Sequence, residues 1–223
     1  MDNALIVVAK EPVPGRTKTR LCPPLAPDSA AELYRCLLLD TFALVKKLGG
    51  ADHSLAYTPD SARGYFARLS PNGFRLVPQR GANLGERLSN ALEQHFGLGY
   101  RRVVIMNSDG PTLPMACLEE AFSSLDRADV TLGPGHDGGY YLIGMKAHQP
   151  ELFHGIDWST ERVIPQTLAA CHQQGLSVHQ LPQWYDVDVA ADLDRLYRDL
   201  ARDPELAPCT WDFLQDLELR ESG

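Results

Sequence analysis

Short apolar runs alternate with helical segments through the first half of the chain. Residues 5–9 (LIVVA) form an apolar run that a Pro- and Gly-containing segment follows, which is typical of a buried strand. Further strands are predicted at residues 53–57, 74–77 and 103–106, and helices at 27–48, 61–69, 84–96 and 114–125. This alternation predicts an α/β fold built around a mostly parallel, doubly wound sheet.

The second half has a mixed pattern. Strands are predicted at residues 130–132 and 140–145, and a short glycine-rich loop is all that separates them. A parallel crossover needs a longer connection, so the strand at 140–145 is expected to run antiparallel or to start a new layer. A strand at 177–181 and helices at 160–174, 190–200 and 204–217 complete the chain. Because there is no repeat, low-complexity tract or linker, we expect a single domain over residues 1–223.

The charge balance argues against two classes of partner. The 223 residues carry a net charge of −8, which disfavours nucleic-acid and anionic-membrane surfaces. There is no run of 18 apolar residues, and the start of the chain lacks the pattern of a signal peptide. We therefore expect a soluble cytoplasmic protein with no nucleic-acid or membrane partner, while its oligomeric state stays open.

A basic loop directly follows the first predicted strand. The segment KEPVPGRTKTRL holds Lys10, Gly15, Arg16, Lys18 and Arg20. Sheets of this type bind ligands at the carboxyl ends of their strands. Lysine and arginine can hold the oxygens of a di- or triphosphate there, and glycine lets the backbone approach them closely. The pattern predicts a nucleotide phosphate site, and the alternative is a solvated loop whose charges happen to cluster.

Two acidic segments are candidates for a metal site. Asp109, in NSDGP, follows the strand at 103–106 and is expected at the same sheet edge as the basic loop. Mg²⁺ or Mn²⁺ usually takes one or two carboxylates together with substrate phosphates. In the segment DVDV, Asp186 and Asp188 fall on one face of an extended strand, and either could be a second ligand; we assign Asp188. The alternatives are an Asx turn at Asp109 and two solvated acids in the later segment.

The glycine-rich loop GPGHDGGYY is a candidate acceptor site. Glycines at this density allow a sharp turn or a close ligand approach. Asp137 could act as a base, orient an acceptor or bind sugar hydroxyls, and Tyr140 or Tyr141 could stack on a ring. Acceptor contacts are therefore also predicted for Gly138 and Gly139. The alternative is a tight turn before a strand, with Asp137 as its cap.

Two further segments could border the ligand. Gly85 and Arg87, in GANLGERL, follow the third predicted strand and could contact the nucleotide base or ribose. They could equally belong to an ordinary helix start. Trp158, in DWST, lies next to a helix cap near the expected acceptor pocket and is predicted to contribute to it.

Taken together, the motifs resemble those of a known family. They are KEPVPGRTKTRL (10–21), GANLGERL (81–88), NSDGP (107–111), LGPGHDGGYYLIG (132–144), FHGIDWST (153–160) and DVDVAADL (186–193). The chain resembles the small bacterial transferases of the nucleotide-diphospho-sugar transferase superfamily, of the arsenosugar-biosynthesis or selenodomain-associated glycosyltransferase type. It is more distantly similar to phospholactate and molybdenum-cofactor guanylyltransferases. The resemblance covers nearly the whole chain.

The resemblance implies a GT-A type, Rossmann-like three-layer α/β/α fold, a nucleotide bound across the first half, and a divalent cation. It implies that Lys18 and Arg20 contact phosphates, that Asp109 is the metal ligand, and that Asp137 lies on the acceptor side. The chain departs from the family pattern at Ser108, where a Gly-Thr pair often precedes the aspartate. It departs again at Val189 and the next residue, where Thr-Pro is usual.

Two reactions fit these expectations. A glycosyltransferase would move a sugar from a nucleotide-sugar to a small-molecule acceptor, with the metal and Lys18 stabilising the departing diphosphate. This is the favoured interpretation. The alternative is a nucleotidyltransferase that joins a nucleoside triphosphate to a phosphorylated small molecule and releases pyrophosphate. A nucleotide-binding module without catalysis is a third possibility.

Overall fold

The computed structural model describes residues 2–221, which form one mixed sheet with helices on both faces. The strands are β1 (Asn3–Lys10), β2 (Asp52–Thr58), β3 (Arg75–Pro78), β4 (Arg102–Met106), β5 (Val130–Pro134), β6 (Tyr140–Met145) and β7 (Val178–Gln180). The helices are α1 (Pro27–Lys47), α2 (Arg63–Leu69), α3 (Leu84–Gly97), α4 (Met115–Ser124), α5 (Val163–Gln173), α6 (Ala190–Arg202) and α7 (Pro208–Glu221). Short 3₁₀ turns lie at Thr19–Leu21, Asp60–Ala62, Pro150–Phe153 and Pro204–Leu206.

The strand order is β3-β2-β1-β4-β6-β5-β7. β1 pairs in parallel with β2 and β4, and β2 with β3, as the alternation in the first half predicts. β6 runs antiparallel to both β4 and β5, because the loop that joins β5 to β6 is too short for a crossover. The predicted mixed, mostly parallel sheet is confirmed.

Both faces of the sheet are buried. Along β1, Leu5 and Val7 point into one apolar cluster, while Ala4 and Ile6 point into the other. The first cluster packs against α1, α2, α4, α6 and α7, and the second packs against α3 and α5. The result is the three-layer α/β/α arrangement that the family resemblance implies. No helix among the described residues is long and apolar enough to cross a membrane.

Two predicted helices have different boundaries. The helix expected from residue 160 begins at Val163, because residues 157–162 form a loop in which the Thr160 hydroxyl donates to the carbonyl of Asp157 (2.7 Å). The helix expected over 204–217 is divided into a 3₁₀ turn and α7. Proline at position 208 has no N–H, so it suits a helix start and interrupts the hydrogen bonding before it.

Candidate active site

Four segments meet at one edge of the sheet. The carboxyl ends of β1 and β4 lie side by side, and β6 begins at the same edge because it runs in the opposite direction. The N–H of Asn107 donates to the carbonyl of Tyr141 (2.9 Å), and the N–H of Val187 donates to the carbonyl of Asp109 (2.9 Å). These bonds join residues 107–111, the first predicted metal-site segment, to the predicted acceptor loop and to the segment that holds Asp186 and Asp188.

Internal hydrogen bonds hold the basic loop in shape. The buried Thr17 hydroxyl donates to the carbonyl of Glu11 (2.9 Å) and accepts from the N–H of Val13 (3.1 Å). The Lys10 ammonium donates to the carbonyl of Arg16 (2.7 Å). Folded in this way, the loop places all four of its predicted phosphate-binding cations around one cavity of about 250 Å³, which we call the phosphate cavity: Lys10, Arg16, Lys18 and Arg20.

Lys18 lies between the two predicted metal ligands. Its Nζ is 2.8 Å from Asp109 Oδ1 and 2.7 Å from Asp188 Oδ1, and its side chain is only 6% exposed. Burial disfavours the charged ammonium, but the two carboxylates outweigh it and raise the pKa of Lys18 above its usual range. The residue is therefore a buried, fully charged cation in contact with two anions.

A third carboxylate borders this ion-pair cluster. Asp186 Oδ2 accepts from the Asn107 side-chain amide (2.7 Å), while Oδ1 is buried and has no hydrogen-bond partner in the described structure. Burial, and then the charge of Asp109, raise the pKa of Asp186 to about 7. Burial also raises the pKa of Asp109, against the opposing effect of Lys18. With all three acids ionised, the cluster carries more negative charge than one ammonium can neutralise.

These residues fit a divalent cation that is bound together with phosphates. No group of three or more His, Cys, Asp or Glu side chains within residues 2–221 is arranged to hold a metal by itself. Mg²⁺ and Mn²⁺ do not need such a group, since one or two carboxylates and substrate phosphates suffice. Asp109 and Asp188 both line the phosphate cavity, and the unpartnered oxygen of Asp186 adds negative potential beside them. Asp109 and Asp188 are thus the residues that could hold the ion.

A second, larger cavity of about 370 Å³ continues from the first. The two cavities share Lys10, Tyr34 and Asp109 in their linings. One side of the larger cavity consists of residues within 137–141 and 158–163, which we call the acceptor wall. It includes four of the predicted acceptor-side residues: Asp137, Gly139, Tyr140 and Trp158. Arg87, predicted to border the nucleotide, also lines this cavity.

One carboxylate oxygen of Asp137 accepts a hydrogen bond within a turn, and the other accepts none from the described backbone or side chains. Oδ1 accepts from the N–H of Gly139 (2.9 Å), which caps the turn into β6. Oδ2 makes no hydrogen bond within the described part of the chain, and the residue is exposed where it lines the larger cavity. Asp137 can therefore cap the turn with one oxygen while the other oxygen faces an acceptor, so the geometry allows both interpretations.

Three predicted ligand-binding glycines line neither cavity. Gly85 is buried beneath Trp158, and a Cβ built on it would lie 2.8 Å from the indole Nε1. Gly138 has φ of 85° and packs on Glu161, where a Cβ would lie 2.4 Å from Cα. Gly15 takes a left-handed turn conformation, with φ of 71°. The structure gives the first two a packing role behind the cavity surface, while direct ligand contact by any of the three stays a prediction.

The structure also adds residues that sequence reasoning missed. Tyr34 lies on α1, and its hydroxyl accepts from the N–H of Lys10 (3.2 Å) and bonds the Ser108 hydroxyl (2.8 Å). Its ring lies 5.6 Å from the Lys18 ammonium. Ser159 lines the larger cavity with a left-handed backbone (φ 64°), an uncommon conformation for a residue with a side chain. The one sequence signal for Ser159 as a cavity residue was its place in the DWST segment beside Trp158.

The two departures from the family pattern have local explanations. Ser108 is buried, and its hydroxyl is bonded to Tyr34. At the start of α6, Asp192 Oδ2 accepts from the N–H groups of both Asp188 and Val189 (2.8 Å each). This carboxylate caps the helix without Thr-Pro, and Asp188 still reaches Lys18.

A family model matches the central part of the chain. Residues 41–160, more than half of the chain, match the family described as "uncharacterized protein conserved in bacteria" (DUF2064). The chain belongs to this family.

Other relatives are named as transferases. A solved structure of a candidate nucleotide-diphospho-sugar transferase from Desulfovibrio desulfuricans G20 is 35% identical, with a TM-score of 0.90, over 98% of this chain and 96% of the other. A 2-phospho-L-lactate guanylyltransferase from Methanothermobacter thermautotrophicus is 28% identical over 80% of this chain and 78% of its own length. Another from Halorubrum lacusprofundi is 27% identical over 81% and 79%. The predicted transferase class and the family resemblance are confirmed.

More distant structures share the fold alone. Rv0371c from Mycobacterium tuberculosis H37Rv, solved as a manganese complex, is 17% identical with a TM-score of 0.54 over 88% of this chain and 97% of that one. The chain therefore has the Rossmann-like fold of nucleotidyl and glycosyl transferases, and the choice between the two reactions depends on its own site.

Proposed function

We propose that this protein is a metal-dependent nucleotidyltransferase, which joins the nucleotidyl group of a nucleoside triphosphate to a small-molecule acceptor and releases pyrophosphate. The observation that carries the proposal is the phosphate cavity, where four cations surround one space beside Asp109 and Asp188. So much positive charge suits a triphosphate better than a diphosphate. The similarity to two guanylyltransferases over about four fifths of the chain supports this choice over glycosyl transfer.

The cations would stabilise the charge that develops as pyrophosphate leaves. Lys18 and Arg20 are assigned to the phosphate oxygens, and Lys10 and Arg16 also line the cavity. Asp109 and Asp188 would hold Mg²⁺ or Mn²⁺, and the bound ion would supply further electrostatic stabilisation of the phosphates. Since nucleoside triphosphates are cytoplasmic substrates, we place the reaction in the cytoplasm.

The acceptor is assigned to the larger cavity. Asp137 Oδ2 could take the proton of an attacking hydroxyl or orient it, and Tyr140 and Trp158 offer apolar faces to the acceptor. The cations among the described residues lining this cavity are Lys10 and Arg87, and neither belongs to the acceptor wall. The carboxylate and aromatic rings of the acceptor wall suit a hydroxyl nucleophile, while Lys10 and Arg87 on the same cavity could pair with a phosphorylated acceptor.

Glycosyl transfer is the second candidate, because the 35% identical relative is described as a candidate nucleotide-diphospho-sugar transferase. The same cations would then hold the diphosphate of a nucleotide-sugar. The reactions differ in the bond that breaks. Nucleotidyl transfer breaks the bond between the α-phosphorus and the oxygen that bridges it to the β-phosphorus, and pyrophosphate leaves with that oxygen. Glycosyl transfer breaks the bond between the sugar and the diphosphate.

Product analysis separates these reactions. The parent protein would be incubated with each of four nucleoside triphosphates and, separately, with UDP- and GDP-sugars. Each reaction would contain Mg²⁺ or Mn²⁺ and one of a panel of small hydroxylated and phosphorylated acceptors. Pyrophosphate release that is lost in Asp137→Ala supports nucleotidyl transfer. Release of a nucleoside diphosphate from a nucleotide-sugar would instead select glycosyl transfer. Nucleotide binding with no turnover on any acceptor would favour a binding module.

A further inference from the structure

We propose that the Lys18 ammonium holds the cation position between Asp109 and Asp188, so that this site takes a divalent metal only together with a nucleotide. The inference rests on the proposed function, since it assumes a nucleotide that brings phosphates to the cavity. It starts from the two short contacts, 2.8 and 2.7 Å, that one nitrogen makes with one oxygen of each carboxylate.

The ammonium competes for the oxygens that a metal ion would need. Mg²⁺ binds oxygen at about 2.0–2.1 Å and gives up its water reluctantly. An ion on either Oδ1 atom would lie within about 5 Å of Nζ, given that bond length and the observed contacts. Two cations so close, with Lys18 only 6% exposed, repel each other with little screening by solvent. Free metal must therefore displace the lysine, and the lysine has then lost its anionic partners.

A bound nucleotide removes this conflict, because its phosphates give Lys18 new partners. Arg16 and Arg20 line the same cavity as Lys18, so the phosphate oxygens that they attract come within reach of its ammonium. The carboxylates of Asp109 and Asp188 are then released to the metal ion. The substrate in this scheme is the metal–nucleotide complex, and in the metal-free protein both carboxylates stay paired with the Lys18 ammonium.

The backbone around Lys18 can stay fixed during the exchange. Its carbonyl accepts from the N–H of Leu21 (2.9 Å), which anchors the 3₁₀ turn Thr19–Leu21. Lys18 itself has a left-handed conformation (φ 52°, ψ 36°), and strained residues of this kind persist where the surrounding structure holds them. In this scheme the side chain rotates beside the Tyr34 ring, 5.6 Å from its ammonium, as it moves from the carboxylates to the phosphates.

The test is Mn²⁺ binding without nucleotide, followed by electron paramagnetic resonance. Lys18→Met keeps an unbranched side chain that is one atom shorter and removes its charge. We expect it to bind Mn²⁺ at least about tenfold more tightly than the parent. Arg20→Met is the matched control, because it removes an exposed cation of the same cavity for which no contact with Asp109 or Asp188 is found. The double variant Lys18→Met/Asp109→Asn should lose the gain.

Two outcomes would overturn the inference. One is equal Mn²⁺ affinity in the parent and in Lys18→Met; the other is an equal gain in Arg20→Met, which would indicate a general charge effect. Circular dichroism melting checks folding, and Lys18→Gln, which is polar and uncharged, replaces the Met variant if that one does not fold. Thermal melting of the parent with nucleoside triphosphates and Mn²⁺ tests the proposed function separately. If no nucleotide stabilises the parent, the proposed function fails even where Lys18→Met gains Mn²⁺ affinity.

Discussion

Replacing Asp186 with Asn should stabilise the metal-free protein, and the gain should grow as pH rises. The carboxyl of Asp186 is buried beside Asp109, so its pKa is raised from an ordinary value of 3.8 to about 7 in the folded protein. Between these two pH values the folded state keeps a proton that the unfolded state has released. Stability must therefore fall as pH rises through this range, and Asn, which does not titrate, removes the fall.

The size of the effect follows from the shift. Each pH unit between the two pKa values is worth about 1.36 kcal/mol, and pH 5 to pH 7 spans about two of them, which gives a ceiling of about 2.7 kcal/mol. The acid is partly exposed at its edge, so we expect about 2 kcal/mol more gain at pH 8 than at pH 5. For a chain of 223 residues, this means that the variant's gain in melting temperature over the parent should be larger at pH 8 than at pH 5 by roughly 4–8 °C. The bond from Asn107 survives, because the new amide oxygen can accept it.

Urea unfolding of the parent and the variant at pH 5, 6, 7 and 8, with a chelator present, measures this gain. Asp126→Asn is the control, since it removes a carboxylate from an exposed ion pair with Arg102, away from the site. Its effect should be small at every pH. A gain for Asp186→Asn that is equal at pH 5 and pH 8 would refute the reasoning, and so would a variant less stable than the parent at pH 8.

Three further substitutions test separate parts of the site. Arg20→Ala should weaken nucleotide binding by about 1.5–3 kcal/mol in calorimetry, as for a lost hydrogen bond to a charged group, without lowering the melting temperature; unchanged affinity would remove Arg20 from the phosphate site. Asp137→Ala should lower turnover about 10²–10⁴-fold at unchanged nucleotide affinity; a variant that melts early while its folded fraction turns over at the parent rate would make Asp137 a turn residue alone. Gly85→Ala should destabilise by about 1–3 kcal/mol, because the added methyl meets Trp158. Gly64→Ala, at a helical glycine where the added methyl meets only the Arg68 side chain at 3.7 Å, should be neutral or stabilising, and equal effects of the two would contradict the packing argument.

Much of the fold was predictable because each central strand is a continuous apolar run that ends in polar or turn-forming residues. The antiparallel direction of β6 followed from the length of one loop. The strand order β4-β6-β5 could not be predicted from the sequence. Which strands are neighbours depends on how helices cover both faces of the sheet, and local periodicity carries no such information. The helix boundary near residue 160 was missed because Thr160 serves a loop hydrogen bond instead of a helix cap.

The site was predictable where it lies at strand ends. Lys10 ends β1 and Asp109 follows β4, and the parallel pairing of these strands brings both positions to one edge. Asp137 precedes β6 and reaches the same edge because β6 runs antiparallel to β4. Tyr34 was not found, because an aromatic residue on an amphipathic helix has the pattern of a core residue. The contact between Lys18 and Asp188 joins positions 170 residues apart. Each residue was predicted to bind part of the ligand, and nothing in the sequence indicated that they bind each other.

The central claim is that a nucleotide binds through its phosphates and a divalent ion in the phosphate cavity. Calorimetric titration of nucleoside triphosphates into the parent and into Asp109→Asn, each with Mn²⁺ or with a chelator, tests it most directly. We expect at least one triphosphate to bind the parent more tightly with Mn²⁺. In Asp109→Asn, which should keep its fold because the change lies in a loop, we expect that metal dependence to be lost. Metal dependence of equal size in the two proteins, or no binding of any triphosphate to the parent, would contradict the account.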